Sequence, residues 1–131
     1  ISKLITLELS GNRLVSIEGI GNLVSLIDLY LDDNLLTELP EEICLLIKLR
    51  KLSVKRNRLV VAAGCPQFIP SLFLTDSLVE NIDLEGNTSL TKSILLDLDG
   101  MDHFLERRKA LKDKNMNGGA LQDYSLFGLP N

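Results

Sequence analysis

One pattern of leucines and an asparagine recurs four times in the chain and restricts its fold more than any other feature. Each copy reads L-x-x-L-x-L-x-x-N-x-L, although the fourth is looser and has its last leucine one position late. The copies carry their asparagines at Asn12, Asn34, Asn57 and Asn87. Their first positions are 22, 23 and 30 residues apart and are Leu4, Leu26, Leu49 and Val79. Such a period predicts a solenoid of stacked coils, each burying its apolar face against the next.

Each copy is predicted to form one β-strand and the turn that follows it. Side chains alternate along a strand, so Leu7 and Leu9 of the first copy point the same way, into the stack. The asparagine follows the strand, where the chain turns inward and would otherwise bury unpaired backbone groups. Its amide offers two N–H donors and a carbonyl acceptor to its own turn and to the next coil. Stacking therefore predicts a ladder of buried asparagines.

The pattern and its period are those of a leucine-rich repeat and predict an α/β fold, a right-handed solenoid. We expect parallel strands on the concave face, loops and short helices on the convex side, and a carboxy-terminal helical cap. In the second coil, Pro40 is well placed to open a short helix. The longer third coil is predicted to bulge irregularly over residues 62–77. The expected division is about four coils in 1–90, a capping helix or helix pair in 91–114 and an extended tail in 115–131.

Composition and charge narrow the class of protein. The chain has 131 residues, of which 45% are hydrophobic and 5% aromatic, so it can bury a core that we expect to be aliphatic. A formal net charge of −4 argues against a nucleic-acid binder. No apolar run approaches a membrane span, and no signal peptide is visible. The chain begins with isoleucine and enters a repeat almost at once, so we expect it to be part of a longer protein with further amino-terminal coils.

The two cysteines, and a glycosylation sequon whose asparagine is expected to face inward, favour an intracellular protein. Cys44 and Cys65 do not make the cysteine-clustered caps that extracellular repeats carry, and we interpret both as reduced, mostly buried thiols. Residues 87–89 formally match a glycosylation sequon, but Asn87 is a ladder asparagine and is expected to face inward. We therefore expect the protein to be intracellular and to reside in the cytoplasm.

The carboxy-terminal part departs from the repeat and is predicted to be helical. Thr91 or Ser93 can cap a first helix. Gly100 interrupts the helical spacing, which predicts one short helix before it and a second one after it. We expect these to form a lid over the last coil. The lid's polar face is basic and contains Arg107, Arg108, Lys109 and Lys112. It is either a solvated face or a docking site for an acidic protein or a lipid headgroup. The tail has an apolar cluster that could pack on the domain or on a neighbour: Tyr124, Leu126, Phe127 and Leu129.

Two stretches resemble known intracellular repeat proteins. The sequence Leu36-Thr-Glu-Leu-Pro-Glu-Glu-Ile43, followed by Leu46 and Leu49, resembles the Ras-suppressor type of intracellular leucine-rich repeat. The run Asp99-Gly-Met-Asp-His-Phe-Leu-Glu-Arg-Arg-Lys109 is similar to the last helix of plant and algal intracellular proteins of this type. The resemblance implies protein binding or scaffolding, without catalysis by the repeats. The long third coil departs from the pattern.

Residues between the buried leucines are predicted to line the concave face in rows that cross the sheet. Parallel strands lie about 4.8 Å apart, so side chains within one row can touch. The candidate protein-binding surface consists of Glu8, Asp28, Tyr30, Asp32, Lys51, Ser53, Lys55, Arg56, Asp83 and Glu85. Aromatic and arginine side chains dominate the binding energy of many interfaces, and Tyr30 and Arg56 are the only ones in these rows. One interpretation is therefore a mixed-charge recognition surface centred on Tyr30.

A second interpretation of the same residues is a set of ion pairs that holds the sheet together and binds nothing. It places Lys55 between Asp32 and Glu85, and Lys51 beside Asp28. Exposed pairs contribute only about 0–1 kcal/mol each, so they would say little about stability. The convex side, the tail and the open first edge remain alternative binding faces.

Little in the sequence supports an enzyme. The single histidine, His103, lies in the predicted lid, and neither cysteine has a sequence neighbour that would activate it. Clusters of histidine and cysteine with metal-ligand spacing are absent, and the adjacent acids Asp32 and Asp33 are interpreted as surface charge. We expect no catalytic residue, no cofactor, no metal and no small-molecule substrate.

Three functions fit these expectations, and all three require a protein partner. The primary hypothesis is a non-catalytic interaction module, a subunit or scaffold within a larger intracellular assembly. The alternatives are a regulatory subunit that docks on an enzyme and the recognition domain of a longer enzyme. None of the three involves nucleic acid or direct insertion into a membrane.

Overall fold

Four short parallel strands form one sheet in the computed structural model, which describes residues 3–61, 67–114 and 128, with only the backbone in 111–114. The strands are β1 (Thr6–Glu8), β2 (Asp28–Tyr30), β3 (Lys51–Ser53) and β4 (Asn81–Asp83), and they lie in the order β1-β2-β3-β4. One strand comes from each copy of the pattern. The first residues of the four strands are in register with one another. The parallel stack and the predicted rows are thus confirmed.

The returning side of the first two coils consists of loops and short 3₁₀ helices. These helices span Ile20–Asn22 and Glu41–Leu45, and they contact each other. Pro40 immediately precedes the second one and has a φ of −73°. Proline restricts φ to this range, so it prepares the chain for the helix that follows.

The third coil is more regular than predicted. The expectation of an irregular bulge over 62–77 was wrong for its last part, because α1 (Ser71–Asp76) is a helix that begins directly after Pro70. Phe73 and Leu74 of α1 are fully buried, so the apolar side of this turn stabilises it against the core. Residues 62–66, including Cys65 and its neighbour proline, lie outside the described residues.

Leucines, isoleucines and valines from successive coils form the greater part of the core, as expected. Phe68, Phe73 and Phe104 are also fully buried. They lie in or beside α1 and the last helix. Helices pack about 8–10 Å apart, farther than strands in a sheet, so large rings fill the space there. The expectation of an aliphatic core was therefore wrong at this end of the stack.

Two helices cap the fourth coil. α2 (Lys92–Leu96) begins after Thr91, whose hydroxyl accepts a hydrogen bond from the Ile94 backbone N–H at 3.2 Å. α3 (Met101–Lys114) follows Gly100 and packs against α1. Gly100 has a φ of +90°, and a β-carbon on it would lie 2.7 Å from the Ser71 carbonyl oxygen. Only glycine allows this close approach of the cap to the third coil.

Candidate functional site

A ladder of buried asparagines fixes the turns that end the concave strands. Asn34 Oδ1 accepts backbone N–H groups from Asn12 and Leu14 of the preceding coil, at 3.0 and 2.8 Å. Its Nδ2 donates to the carbonyls of Leu9 and Leu31, both at 3.0 Å. The same kind of link between neighbouring coils is made by Asn57 and Asn87. The predicted ladder is confirmed, and it holds each strand at a fixed position relative to the next.

A left-handed residue directly precedes each ladder asparagine. The φ angles are +75°, +57°, +52° and +81° at Gly11, Asp33, Arg56 and Gly86. Non-glycine residues seldom adopt this conformation, so the two glycines were the available signal in the sequence. A β-carbon on Gly86 would lie 2.6 Å from Arg56 Cγ. The arginine side chain therefore passes directly over the fourth turn.

A bidentate ion pair joins two of these left-handed residues, Asp33 of the second coil and Arg56 of the third. Arg56 Nε and Nη2 donate to the two carboxylate oxygens of Asp33 at 2.7 and 3.0 Å. These hydrogen bonds lower the pKa of Asp33 below its ordinary value and raise the pKa of Arg56. Both side chains are about half exposed. Arg56, predicted as an anchor for a partner, is thus already paired within the sheet.

The Asp33–Arg56 pair predicts a pH dependence of stability. Because the pKa of Asp33 is lowered by Arg56 from 3.8, its contribution is fully present above pH 3.8 and is lost as the pH falls through the lower, folded-state pKa. We expect the stability advantage of the wild type over Asp33→Asn to shrink as the pH falls below 3.8. Asparagine tolerates the left-handed turn, so the substitution removes the charge with little added strain. Urea unfolding of both proteins between neutral and acidic pH measures the difference, and a constant difference would contradict the pair's role.

Asp32 is used mainly to join the second and third coils. Its Oδ1 accepts the Ser53 hydroxyl at 2.7 Å and the Lys55 backbone N–H at 2.8 Å. Ser53 is only 2% exposed, so it offers almost no surface to a partner and does not belong to the binding face. The Lys55 ammonium instead lies 3.5 Å from Asp83 Oδ2. The expected ion pairs of Lys55 with Asp32 and Glu85 are not formed, and Asp83 of the fourth strand is its partner instead.

Tyr30 lies in the second strand, half-buried, with its ring on the concave side. Lys51 Nζ is 5.2 Å from the centroid of this ring, and the expected contact of Lys51 with Asp28 is not formed. Glu8 is in register with Tyr30 on the first strand. Glu8 accepts the Ser10 backbone N–H at 2.9 Å. Hydrogen bonding from the Ser10 side chain, and then from this N–H, lowers the pKa of Glu8. A tyrosine with carboxylates beside it and a lysine over it therefore occupies the β1–β2 part of the face.

The candidate basic residues of the lid do not form a single exposed surface. Arg107 Nε donates to the Val79 carbonyl at 2.8 Å, and burial lowers the pKa of Arg107. The guanidinium groups of Arg107 and Arg108 lie 5.4 and 5.9 Å from the Phe104 ring centroid. Arg107 thus attaches α3 to the fourth coil. Lys109 is exposed, whereas the Lys112 side chain and the apolar cluster of the tail lie outside the described residues.

The first coil lies at one edge of the described sheet. Leu4 and Ile5 are 41% and 47% exposed, whereas the equivalent Leu26 in the second coil is fully buried. Among the described strands, β1 pairs with β2 alone. This edge remains an alternative binding surface for another strand.

Catalytic features are sparse in the described residues. No group of three or more histidine, cysteine or acidic residues there could hold a metal ion. His103 is exposed, and Cys44 is a partly buried free thiol whose pKa is raised by burial and by nearby Glu41 and Asp76. A groove of about 540 Å³ on the returning side is lined by apolar, neutral polar and acidic residues, without histidine, cysteine or a cation. No helix in the described part of the chain has the length and apolar character to cross a membrane.

Comparisons with known proteins agree with this architecture. The family model described as Leucine Rich Repeat matches residues 3–23. The solved structure of a leucine-rich repeat protein from Leptospira interrogans is similar over 63% of this chain, with 30% sequence identity and a TM-score of 0.54. That match covers only 19% of the Leptospira protein. No curated protein sequence is significantly similar to the chain.

The described part of the chain has the fold of a leucine-rich repeat solenoid, as the sheet, the ladder and these likenesses agree. Repeats of this kind generally mediate protein–protein binding, and proteins that carry them are typically non-catalytic interaction modules. Each coil adds one strand to the concave sheet, so this face is assembled from several coils.

Proposed function

We propose that the chain is a non-catalytic subunit or scaffold of an intracellular assembly and that a protein partner binds its concave face. The observation that carries this proposal is the placement of Tyr30 in the middle of the concave rows, half-buried and flanked by charged side chains. Aromatic residues held in place before binding lose little conformational entropy on contact. The interaction therefore uses the sheet as a preformed surface.

Rigidity of the surface supports this proposal. The ladder asparagines and the Asp32 hydrogen bonds connect each coil to its neighbours on the side where the strands end. A preorganised surface avoids much of the ordering cost of association. The partly buried thiol of Cys44 is free, which fits a protein of a reducing compartment such as the cytoplasm.

A capture experiment tests the proposal. The tagged chain is immobilised, exposed to an extract of its native source and compared with Tyr30→Ala/Asp28→Lys, which removes the aromatic ring and reverses one charge on the concave face. The matched control is Ile47→Ala/Glu38→Lys, which makes similar changes at exposed residues outside this face. We expect a stoichiometric partner that the concave variant loses and the control keeps. A partner that both variants retain would place the interface elsewhere.

A further inference from the structure

Charge is distributed unevenly across the concave face. The concave positions of β1, β2 and their turns contain four carboxylates and no basic residue: Glu8, Asp28, Asp32 and Asp33. The same positions of the third coil contain three cations, which are Lys51, Lys55 and Arg56. A partner that approaches the first two strands therefore meets negative charge.

The cations of the third coil form no ion pair with most of these carboxylates. Arg56 is paired with Asp33, and Lys55 lies beside Asp83 of the fourth strand. Within residues 3–61 and 67–110, Glu8 and Asp28 form no ion pair, and Asp32 receives only a hydroxyl and a backbone N–H on Oδ1. Glu8 is the register partner of Tyr30, and the two aspartates lie two residues before and after it on the same face.

The ring of Tyr30 already contacts a cation. Lys51 Nζ lies 5.2 Å from the ring centroid, within the distance at which a cation is attracted to an aromatic face. The lysine side chain is long and flexible, so a cation from a partner can replace it. The contact places a positive group against the ring on the concave side.

We infer that the surface around Tyr30 binds an arginine side chain from an extended, basic segment of the partner protein, an inference that rests on the concave face being the binding face. Arginine fits better than lysine, because its planar guanidinium group stacks on an aromatic ring and also donates to carboxylates at its edge. Asp28 and Glu8 accept these hydrogen bonds, and the Tyr30 ring stacks against the plane of the guanidinium group. An acidic or purely apolar partner would leave the carboxylates desolvated and unpaired.

The test is a titration of the isotopically labelled full chain, followed by NMR at low salt. The probes are a blocked peptide of alternating serine and arginine and the same peptide with glutamine in place of arginine. We expect the arginine peptide to shift the amide signals of β1 and β2 in a saturable way. Affinity should fall about threefold to tenfold in Asp28→Asn and in Tyr30→Ala. The matched control Glu38→Gln removes an equal charge from an exposed residue outside the face and should change affinity less than about twofold.

Two results would overturn the inference: no saturable shift with up to about 1 mM arginine peptide, or equal affinities for the wild type and the Asp28 and Tyr30 variants. If the peptide does not bind while the captured partner still depends on Tyr30, the concave face is the interface, but the inference that it binds an arginine side chain is wrong. If the peptide binds at Tyr30 while the captured partner is indifferent to Tyr30, the proposed function fails, and only the ability of this surface to bind arginine stands.

Discussion

Replacing Asn34 with alanine is expected to lower the free energy of unfolding by about 2–4 kcal/mol. The side chain is 3% exposed and makes hydrogen bonds to backbone groups of two coils. Alanine leaves those N–H and carbonyl groups without partners in a site that water does not reach freely, and the cost of unpaired buried groups adds to the lost bonds. Chemical denaturation followed by circular dichroism measures the change.

Asn12 provides the matched control for Asn34. It holds the same place in the first copy of the pattern, but it is exposed, and its amide donates only within its own turn, to Leu9 and Ser10. Asn12→Ala should therefore cost about 1 kcal/mol or less. Equal losses for the two substitutions would show that burial between coils is not what makes the ladder stabilising.

Leu29→Ala is expected to destabilise the fold by about 2–5 kcal/mol. Leu29 is fully buried in β2 and lies in register between Leu7 and Leu52 of the neighbouring strands. Neighbours held by the backbone ladder cannot move in to fill the cavity, so the loss exceeds the transfer free energy of the deleted methyl groups. Equilibrium unfolding in urea or guanidinium gives the value.

Leu4→Ala is the control for the core substitution. Leu4 is 41% exposed at the edge of the described sheet, and its replacement should cost about 1 kcal/mol or less. A neutral Leu29→Ala would mean that the strand register is wrong, because a shift by one residue would place this side chain on the concave face.

The sequence predicted the rows of the concave face correctly because strand periodicity and the repeat period together define which residues stand side by side. It did not predict which neighbours pair within a row. At a spacing of about 4.8 Å several partners are within reach, and competition decides among them. Asp32 binds the Ser53 hydroxyl and a backbone N–H, whereas the Lys55 ammonium lies beside Asp83.

Two further features were hidden for different reasons. The helix α1 is short and lies within the long third coil, where the repeat spacing is lost, so periodicity gave no indication of it. The left-handed turns at Asp33 and Arg56 were not recognised, because neither residue type marks such a conformation as glycine does. The equivalent glycines of the first and last coils were the clue.

Site-specific photocrosslinking tests the central claim, binding of a protein partner at the concave face, most directly. A photoreactive phenylalanine analogue replaces Tyr30 in one protein and the exposed Ile47 of the returning side in another, and crosslinks formed in the native source are identified by mass spectrometry. We predict one dominant crosslinked protein from position 30 and none shared with position 47. Crosslinking of the dominant partner from position 47 alone would contradict binding at the concave face.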